Sequence, residues 1–281
     1  MKNLKLTSQV LELNWDDVAE RIKNFIRDYV EKVGAEGIVL GISGGVDSST
    51  AAALSALAIG GEKVLGLIMP EEETYNPEDI EDAKRVAEKF GIKTETIDLS
   101  NILKAFYEAI PNFNAQDRVS KGNIKARTRM ICIYYYANTQ KRIVVGSSDK
   151  SETMMGYFTK WGDVAADISP LMDLYKTQVR KLALHIGIPK EVALKPSTPA
   201  LWPNQTAEKE LGIKYETLDL ILYGLERFMK PQEIASQLNL PVETVEKVKA
   251  RWITNEHKRR MPLTVKIQYR TVGADFRLPR I

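Results

Sequence analysis

A glycine-rich turn near the N-terminus is the first segment whose residue types suggest chemistry. It reads SGGVDSS at residues 43–49. Glycine permits a tight turn and lets a ligand approach the backbone closely. Successive backbone N–H groups of such a turn can converge on an anion, and a helix that follows adds the positive end of its dipole. The turn is therefore predicted to bind a phosphate group.

Two familiar phosphate-binding patterns do not match this turn. It lacks the lysine of the pattern G-x-x-x-x-G-K-[ST], and no other segment of the chain has that pattern. A P-loop hydrolase that attacks the γ-phosphate is therefore disfavoured. The turn also differs from the G-x-G-x-x-G of dinucleotide-binding domains.

The elements around the turn are typical of an α/β fold. Short apolar runs bounded by glycine or proline predict buried parallel strands, and apolar residues spaced three and four apart predict helices. The predicted strands occupy residues 37–42, 64–69, 93–99 and 143–145, and the predicted helices occupy residues 15–33, 48–59, 77–90 and 122–139. Their alternation predicts a doubly wound, mainly parallel sheet with helices on both faces.

Length and composition fit this fold. The chain has 281 residues, of which 44% are hydrophobic, so it can bury a full core. Strand signals fade beyond residue 175. Because no long polar linker interrupts the pattern, we expect one domain over residues 1–281, with an N-terminal extension at 1–14 and a mainly helical C-terminal region and tail at 213–281.

Composition also argues against several functional classes. The net charge of +3 is too small to imply nucleic-acid binding by itself. The single cysteine, Cys132, excludes an intrachain disulfide and chemistry that needs two thiols. No run approaches the roughly 20 apolar residues of a membrane helix, and residues 1–13 do not read as a signal peptide. We therefore expect a cytoplasmic protein with neither a membrane nor a nucleic acid as partner.

The turn closely resembles the pyrophosphate-binding loop of the ATP pyrophosphatase (PP-loop) superfamily, whose members split ATP into AMP and pyrophosphate. This implies an adenine nucleotide alpha hydrolase-like fold. It also implies that ATP is held by the strand end and turn, at Gly41, Ile42, Ser43, Gly44, Gly45, Val46, Asp47 and Ser48. Ser43 and Ser48 would donate hydroxyls to pyrophosphate. Asp47 would bind Mg²⁺, since a carboxylate beside phosphate is repelled unless a cation lies between them.

Five later stretches closely resemble the ammonia-dependent NAD synthetase family. They read GNIKARTRM at 122–130, GSSDKSETMMGYFTKWGDVAADI at 146–168, DLYKTQV at 173–179, KPSTPALWPNQTAEKELG at 195–212 and EHKRRMP at 256–262. The resemblance implies ATP-dependent amidation of nicotinic acid adenine dinucleotide (deamido-NAD) with ammonia, which gives NAD, AMP and pyrophosphate through an adenylated carboxylate. It also implies a homodimer, for which residues 124–136 are an interface candidate, although core packing explains their apolar character equally well.

The same resemblance implies a set of site residues. Ser147, Thr198 and Lys176 would contact ATP, and Glu152 would join Asp47 on Mg²⁺. The positions that would hold deamido-NAD are Arg127, Lys160, Asp167, His257 and Lys258. Two positions depart from many relatives: Ser147 stands where threonine is common, and Ala200 stands where an acidic residue is common. The first change keeps the hydroxyl, whereas the second leaves the role of its loop open.

The implied reaction needs these residue types. Attack of a carboxylate on the α-phosphorus brings two anions together, so cations such as Mg²⁺, Lys160 and Lys176 must neutralise them. Ammonium must lose a proton before it attacks the activated carbonyl. Asp167 or Asp163 could bind the ion and favour neutral ammonia. Asp47, Lys176 and Asp167 are thus the residues expected to take part in the chemistry.

Ordinary structural explanations remain open at this stage. Lys176 could lie on a helix face, Glu152 could cap a first turn, and Arg127 with Arg129 could be solvated. We interpret His185 and Cys132 as structural residues. Residues 231–252 have the apolar spacing of a DNA-binding helix-turn-helix, but any packed helical hairpin shows the same spacing.

Two further enzyme questions stay open. Another amidating ATP pyrophosphatase, such as one that converts xanthosine monophosphate to guanosine monophosphate, is the alternative activity. Free ammonia is the expected nitrogen donor because Cys132 lies within a helical stretch beside three tyrosines, which is unsuitable for a glutaminase nucleophile. A separate glutaminase subunit could still deliver ammonia.

Overall fold

The computed structural model describes residues 5–272 and Asp275. The outermost parts of the N-terminal extension and the C-terminal tail, at 1–4, 273–274 and 276–281, lie outside the described residues. The described residues contain four strands: β1 Gly37–Gly41, β2 Val64–Ile68, β3 Lys93–Thr96 and β4 Arg142–Val144. The helices are α1 Trp15–Val33, α2 Val46–Ile59, α3 Pro77–Lys89, α4 Ser100–Ala109, α5 Arg118–Thr139, α6 Lys150–Met155, α7 Lys176–His185, α8 Lys190–Ala193, α9 Ala207–Leu211, α10 Tyr215–Glu226, α11 Pro231–Leu238 and α12 Val242–Thr254.

The strands form one parallel sheet in the order β3-β2-β1-β4. Ile38 of β1 stands opposite Val64 of β2 on one side and Ile143 of β4 on the other. The chain thus moves outward from β1 to β3 and then returns to the other side of β1. Ligands of open α/β sheets bind at such a reversal, beyond the carboxyl ends of the strands.

Helices cover both faces of the sheet, as predicted. Ile38 and Leu40 point into a core built with α1, α2, α3 and α7. Val39, Leu65 and Leu67 point the other way and pack with α4 and α5. The α/β, doubly wound prediction is confirmed, because successive residues of a strand face opposite sides and both sides here are covered.

Three predicted boundaries differ from the structure by two residues or more, and several others differ by one residue. α2 begins at Val46, so Asp47 and Ser48 lie in its first turn. β3 ends at Thr96 and is the polar edge strand of the sheet, with only partial burial. α5 begins at Arg118 because the Asp117 side chain caps it by accepting the Ser120 N–H.

The C-terminal region is helical, as expected. α10 lies at the centre of an apolar core that includes Val245 and Val248 of α12, and Ile234 and Ala235 of α11. These are the residues whose spacing suggested a helix-turn-helix, and packing accounts for that spacing. Within the described residues, none of the helices has the length and apolarity needed to cross a membrane.

Candidate active site

A cavity of about 840 Å³ opens at the carboxyl ends of the strands, where the order of the sheet reverses. Its walls come mainly from the turn after β1, the segment after β2, helix α5, the segment after β4 and the loop at 195–205. All of these except the segment after β2 carry one of the sequence motifs. The fold therefore brings stretches far apart in the chain to one cleft.

The turn after β1 is held in a conformation that only glycine adopts easily. Gly44 has φ +76°, and a Cβ there would lie 2.2 Å from the Asp79 carbonyl oxygen. Ser43 donates its N–H to Ser48 Oγ at 3.1 Å, and the two hydroxyl oxygens are also 3.1 Å apart. Both hydroxyls thus stand together at the N-terminus of α2, where anions are favoured.

A buried charge cluster lies beside this turn. The Lys176 ammonium contacts Asp47 Oδ2 at 2.5 Å, Asp149 Oδ2 at 2.7 Å and Glu152 Oε1 at 2.8 Å. Lys176 and Asp149 have no exposed side-chain surface. Lys176 is therefore not a surface lysine, and Glu152 is not merely a helix-cap residue. Three carboxylates against one ammonium leave excess negative charge in the cluster.

The electrostatics of the cluster are strongly coupled. Burial raises the pKa of Asp149 and of Glu152, because the charged carboxylate loses hydration and faces like charges nearby. Burial alone would lower the pKa of Lys176. The three carboxylates outweigh that effect and hold its pKa well above the ordinary value. The lysine is therefore charged.

The cluster has the donor set of a divalent-cation site. Carboxylate oxygens of Asp47, Asp149 and Glu152 all lie within 4.8 Å of one another. Asp47 Oδ1 is buried and has no hydrogen-bond partner among the described residues. An unsatisfied buried carboxylate oxygen is costly, and a cation would satisfy it. Hard oxygen donors of this kind suit Mg²⁺.

Two members of this site were missed by the sequence reasoning. Asp149 caps α6 by accepting the Glu152 N–H at 2.8 Å, and Tyr215 of α10 donates its hydroxyl to Glu152 Oε1 at 3.1 Å. The D-x-x-E spacing of Asp149 and Glu152 was visible in the sequence as a capping signal. Nothing local points to Tyr215, because α10 reaches the site only through tertiary packing.

A second buried ion cluster supports the pocket wall that follows β2. Lys125 of α5 is fully buried and contacts Glu71 Oε1 at 2.8 Å and Glu73 Oε2 at 2.7 Å. Glu71 in turn accepts the hydroxyl of Thr74 at 2.6 Å, and that hydroxyl also lies 3.0 Å from the Ala200 carbonyl oxygen. Two walls of the pocket are thereby joined. Ala200 itself has φ +46°.

Comparison with known proteins identifies the family. The family model for NAD synthase matches residues 18–262. A curated relative from Hyperthermus butylicus, named NH(3)-dependent NAD(+) synthetase, is 47% identical over 256 residues, which is 91% of this chain and 92% of that protein.

This chain belongs to the NAD synthase family.

Two solved structures agree with this NAD synthase fold. One, an NMN synthetase from Francisella tularensis, has a TM-score of 0.80 and 32% identity, and the match covers 91% of this chain and 100% of that one. The other, an NH3-dependent NAD synthetase from Campylobacter jejuni, has a TM-score of 0.76 and 29% identity, covering 90% and 100%.

Most positions that the NAD synthase resemblance assigned to ATP and metal line the cavity. These are Gly41, Ile42, Ser43, Gly45, Val46, Asp47, Ser48, Ser147, Glu152 and Thr198. Gly44 packs behind the turn against α3, and Lys176 reaches the site through the three carboxylates. The structure therefore brings this group together.

The positions assigned to deamido-NAD are more dispersed. Lys258 lines the cavity and donates to the carbonyls of Gly156 and Phe158 at 2.6 and 2.5 Å. Beside the cavity, Lys160 donates to the His257 carbonyl at 2.6 Å, and Arg127 donates to the Lys160 carbonyl at 3.2 Å. Arg127, Lys160 and His257 form a linked group outside the cavity wall.

The two aspartates considered for ammonium lie in different places. Asp167 is exposed, stands outside the cavity wall and accepts the Val144 N–H at 2.7 Å. Asp163 lines the cavity and accepts the Thr159 N–H at 2.8 Å. Desolvation by surrounding protein raises the pKa of Asp163, although part of the residue faces the open cavity.

Arg129, rather than its neighbour Arg127, also lines the cavity.

Proposed function

We propose that the chain is an ammonia-dependent NAD synthetase that uses ATP to amidate deamido-NAD, giving NAD, AMP and pyrophosphate. The observation that carries this proposal is the placement of the turn at 43–48 beside the Lys176 cluster, in a cleft at the carboxyl edge of the sheet. Membership of the NAD synthase family supports the same reaction, with ATP as co-substrate.

The turn at 43–48 would bind ATP through its two outer phosphates. Backbone N–H groups of the turn and the N-terminus of α2 favour an anion, and the hydroxyls of Ser43 and Ser48 already stand 3.1 Å apart at that place. Ser147 and Thr198 line the facing walls. With the outer phosphates held in this way, the innermost phosphorus is left for attack by the substrate carboxylate.

Asp47 and Glu152 would hold Mg²⁺, and we add Asp149 to the proposed set. The partnerless oxygen of Asp47 and the excess negative charge of the cluster support this assignment. When bound, the ion would supply positive charge for the departing pyrophosphate. The chain itself supplies Lys176, which is charged, fully buried and held within 2.8 Å of all three carboxylates.

The acid substrate would approach from the side of Lys258 and Arg129, two cations in the cavity wall. Arg127, Lys160 and His257 would hold its more distant part, as the resemblance implies. For the binding and deprotonation of ammonium, both Asp163 and Asp167 stay candidates. Asp163 is supported by its place in the cavity wall, whereas Asp167 lies outside that wall and already accepts the Val144 N–H with one oxygen.

The proposal includes a cytoplasmic homodimer. Ile131 and Tyr135 of α5 expose 54% and 64% of their surface, one helical turn apart, so core packing does not explain them. They lie within the stretch 124–136 that the sequence marked as an interface candidate.

A second substrate deserves a direct test because of the Francisella tularensis structure, which is an NMN synthetase. We would supply ATP, Mg²⁺ and ammonium with deamido-NAD, nicotinic acid mononucleotide or xanthosine monophosphate, and measure AMP release. Deamido-NAD is expected to give the highest kcat/KM. Faster turnover of the mononucleotide would assign the chain to NMN synthesis, and an inert dinucleotide would refute the proposal.

A further inference from the structure

A buried aspartate behind the charge cluster joins the two helices that carry it. Asp219 of α10 has no exposed surface. Ser151 of α6 donates its hydroxyl to Asp219 Oδ1 at 2.5 Å. Thr177 of α7 donates its N–H and its hydroxyl to Asp219 Oδ2 at 2.9 and 2.7 Å. One carboxylate thus accepts from both helices.

The connection continues directly to the catalytic-site lysine. Lys176 donates its backbone N–H to Ser151 Oγ at 2.9 Å. Ser151 is the residue between Lys150 and Glu152, on the helix that Asp149 caps. The lysine is therefore held at two points by α6, through its backbone at Ser151 and through its ammonium at Asp149 and Glu152.

The physical setting favours a fixed carboxylate at this place. The first N–H groups of α7 have no partner within the helix, and a negative charge is favourable at a helix N-terminus. A buried carboxylate is retained only when its oxygens are satisfied, and three short hydrogen bonds satisfy this one. Tyr215, one turn earlier on α10, holds Glu152 from the same side.

We propose that Asp219 is a positioning residue for adenylyl transfer. It fixes the start of α7 against α6, so that the Lys176 ammonium and the Asp149 and Glu152 carboxylates keep their spacing when substrates bind. The proposal rests on the proposed function for its reaction. It goes beyond that function by placing part of the active-site machinery on the C-terminal helical region.

The variant Asp219→Asn tests this with little change in shape. One acceptor oxygen becomes an N–H donor, so either Ser151 or Thr177 loses its partner. Glu216→Gln is the matched control, because Glu216 joins α10 to α7 through Arg180 at 3.1 Å but lies at the surface, away from Lys176.

At saturating Mg²⁺ we expect Asp219→Asn to lower kcat for pyrophosphate release about tenfold or more while the KM for ATP changes less than about twofold, because small displacements of catalytic groups cost rate once the ligands are bound. Glu216→Gln should leave both unchanged. If Asp219→Asn lowers the melting temperature but keeps wild-type kcat per folded molecule, Asp219 is only structural and the proposal is overturned.

Ser151→Ala removes the hydroxyl that joins Lys176 to Asp219. It replaces Asp219→Asn in the test if Asp219→Asn does not fold. We expect the double variant to be no slower than the worse single variant, since both changes interrupt one path to Lys176. Effects on kcat that multiply would overturn the path through Ser151.

A measurement without turnover separates this proposal from the proposed function. Titration with Mn²⁺ alone, followed by electron paramagnetic resonance of the free ion, should show binding weakened severalfold in Asp219→Asn and unchanged in Glu216→Gln. Weakened binding would support the positioning role even if deamido-NAD proved inert. Unchanged Mn²⁺ binding together with wild-type kcat, in a variant of an enzyme that does amidate deamido-NAD, would overturn the positioning role alone.

Discussion

Lys176 Nζ lies 2.5 Å from Asp47 Oδ2, although the two residues are 129 positions apart in the chain. Asp47 lies in the first turn of α2 and Lys176 opens α7, so the N-termini of two helices meet at one buried charge cluster. This contact couples the phosphate-binding turn to the carboxylates of α6. The positive charge of Lys176 also offsets the repulsion between the Asp47 carboxylate and a phosphate bound at the turn.

Replacing Asp47 tests the cluster. Asp47→Asn removes one of the carboxylates proposed to hold Mg²⁺, while Lys176 keeps Asp149 and Glu152 as partners. We therefore expect a folded protein whose deamido-NAD-dependent exchange of pyrophosphate into ATP falls about 10²- to 10³-fold. Asp173→Asn is the control, since that side chain is 97% exposed. Exchange within a factor of about two of wild type would contradict the role of Asp47.

Gly44 tests the shape of the turn. Gly44→Ala requires a left-handed conformation of alanine and places its Cβ against the Asp79 carbonyl oxygen. We expect a loss of about 1–3 kcal/mol in the free energy of unfolding and severely weakened ATP binding. Urea unfolding and calorimetric ATP titration measure the two effects.

Gly34→Ala is the matched control for backbone strain. Gly34 has φ +65°, but a Cβ there would meet nothing within 4 Å. We expect that variant to bind ATP normally. If Gly44→Ala also bound ATP like wild type, the close approach of the turn to α3 would not matter for the site.

The sequence was sufficient for the sheet and the turn because their signals are local. The apolar runs of β1 and β2 are buried at nearly every position, and Gly44 of the turn lies where a left-handed conformation is needed. β3 was predicted too long because its polar edge position gives a weaker pattern. Boundaries depend on capping contacts, as at Asp117, and those are harder to read.

The candidate site was predictable only where a motif was continuous along the chain. Asp47 and Glu152 came from such motifs, whereas Tyr215 comes to the site through packing of α10 on α6 and α7. Arg127 and Arg129 show another limit. Residues two apart on a helix face different directions, so Arg129 lines the cavity and Arg127 does not.

The pH dependence of the free energy of unfolding tests the buried contacts of Glu71 in the pocket wall at 71–74. Burial would raise the pKa of Glu71, but hydrogen bonds from Lys125 and Thr74 outweigh it and hold that pKa below its ordinary value of 4.5. The unfolded chain then binds the proton more readily, so this stabilisation is complete above pH 4.5 and is lost as the pH falls through the folded pKa.

Glu71→Gln should therefore lower the free energy of unfolding most above pH 4.5, and the difference from wild type should shrink in more acidic solution. Urea titrations over this range measure it. Glu36→Gln, which removes an exposed ion pair with Lys141 at 3.2 Å, should change stability little at any pH. A Glu71→Gln difference that grew toward low pH would contradict the assignment.

The exposed face of α5 tests the homodimer. Ile131→Asp places a charge on the proposed interface, and we expect light scattering to show a shift from dimer toward monomer. Ile253→Asp is the control, because Ile253 is similarly exposed but lies on α12. A wild-type monomer at micromolar concentration, or a dimer unaffected by Ile131→Asp, would refute this interface.

The position at which ATP is cut tests the central claim most directly. With deamido-NAD, Mg²⁺ and ammonium present, chromatography of the nucleotides together with separate assays for pyrophosphate and orthophosphate should show NAD, AMP and pyrophosphate in equal amounts. If the products were ADP and orthophosphate, the turn would not bind the two outer phosphates of ATP in the way proposed, and the proposed function would be wrong.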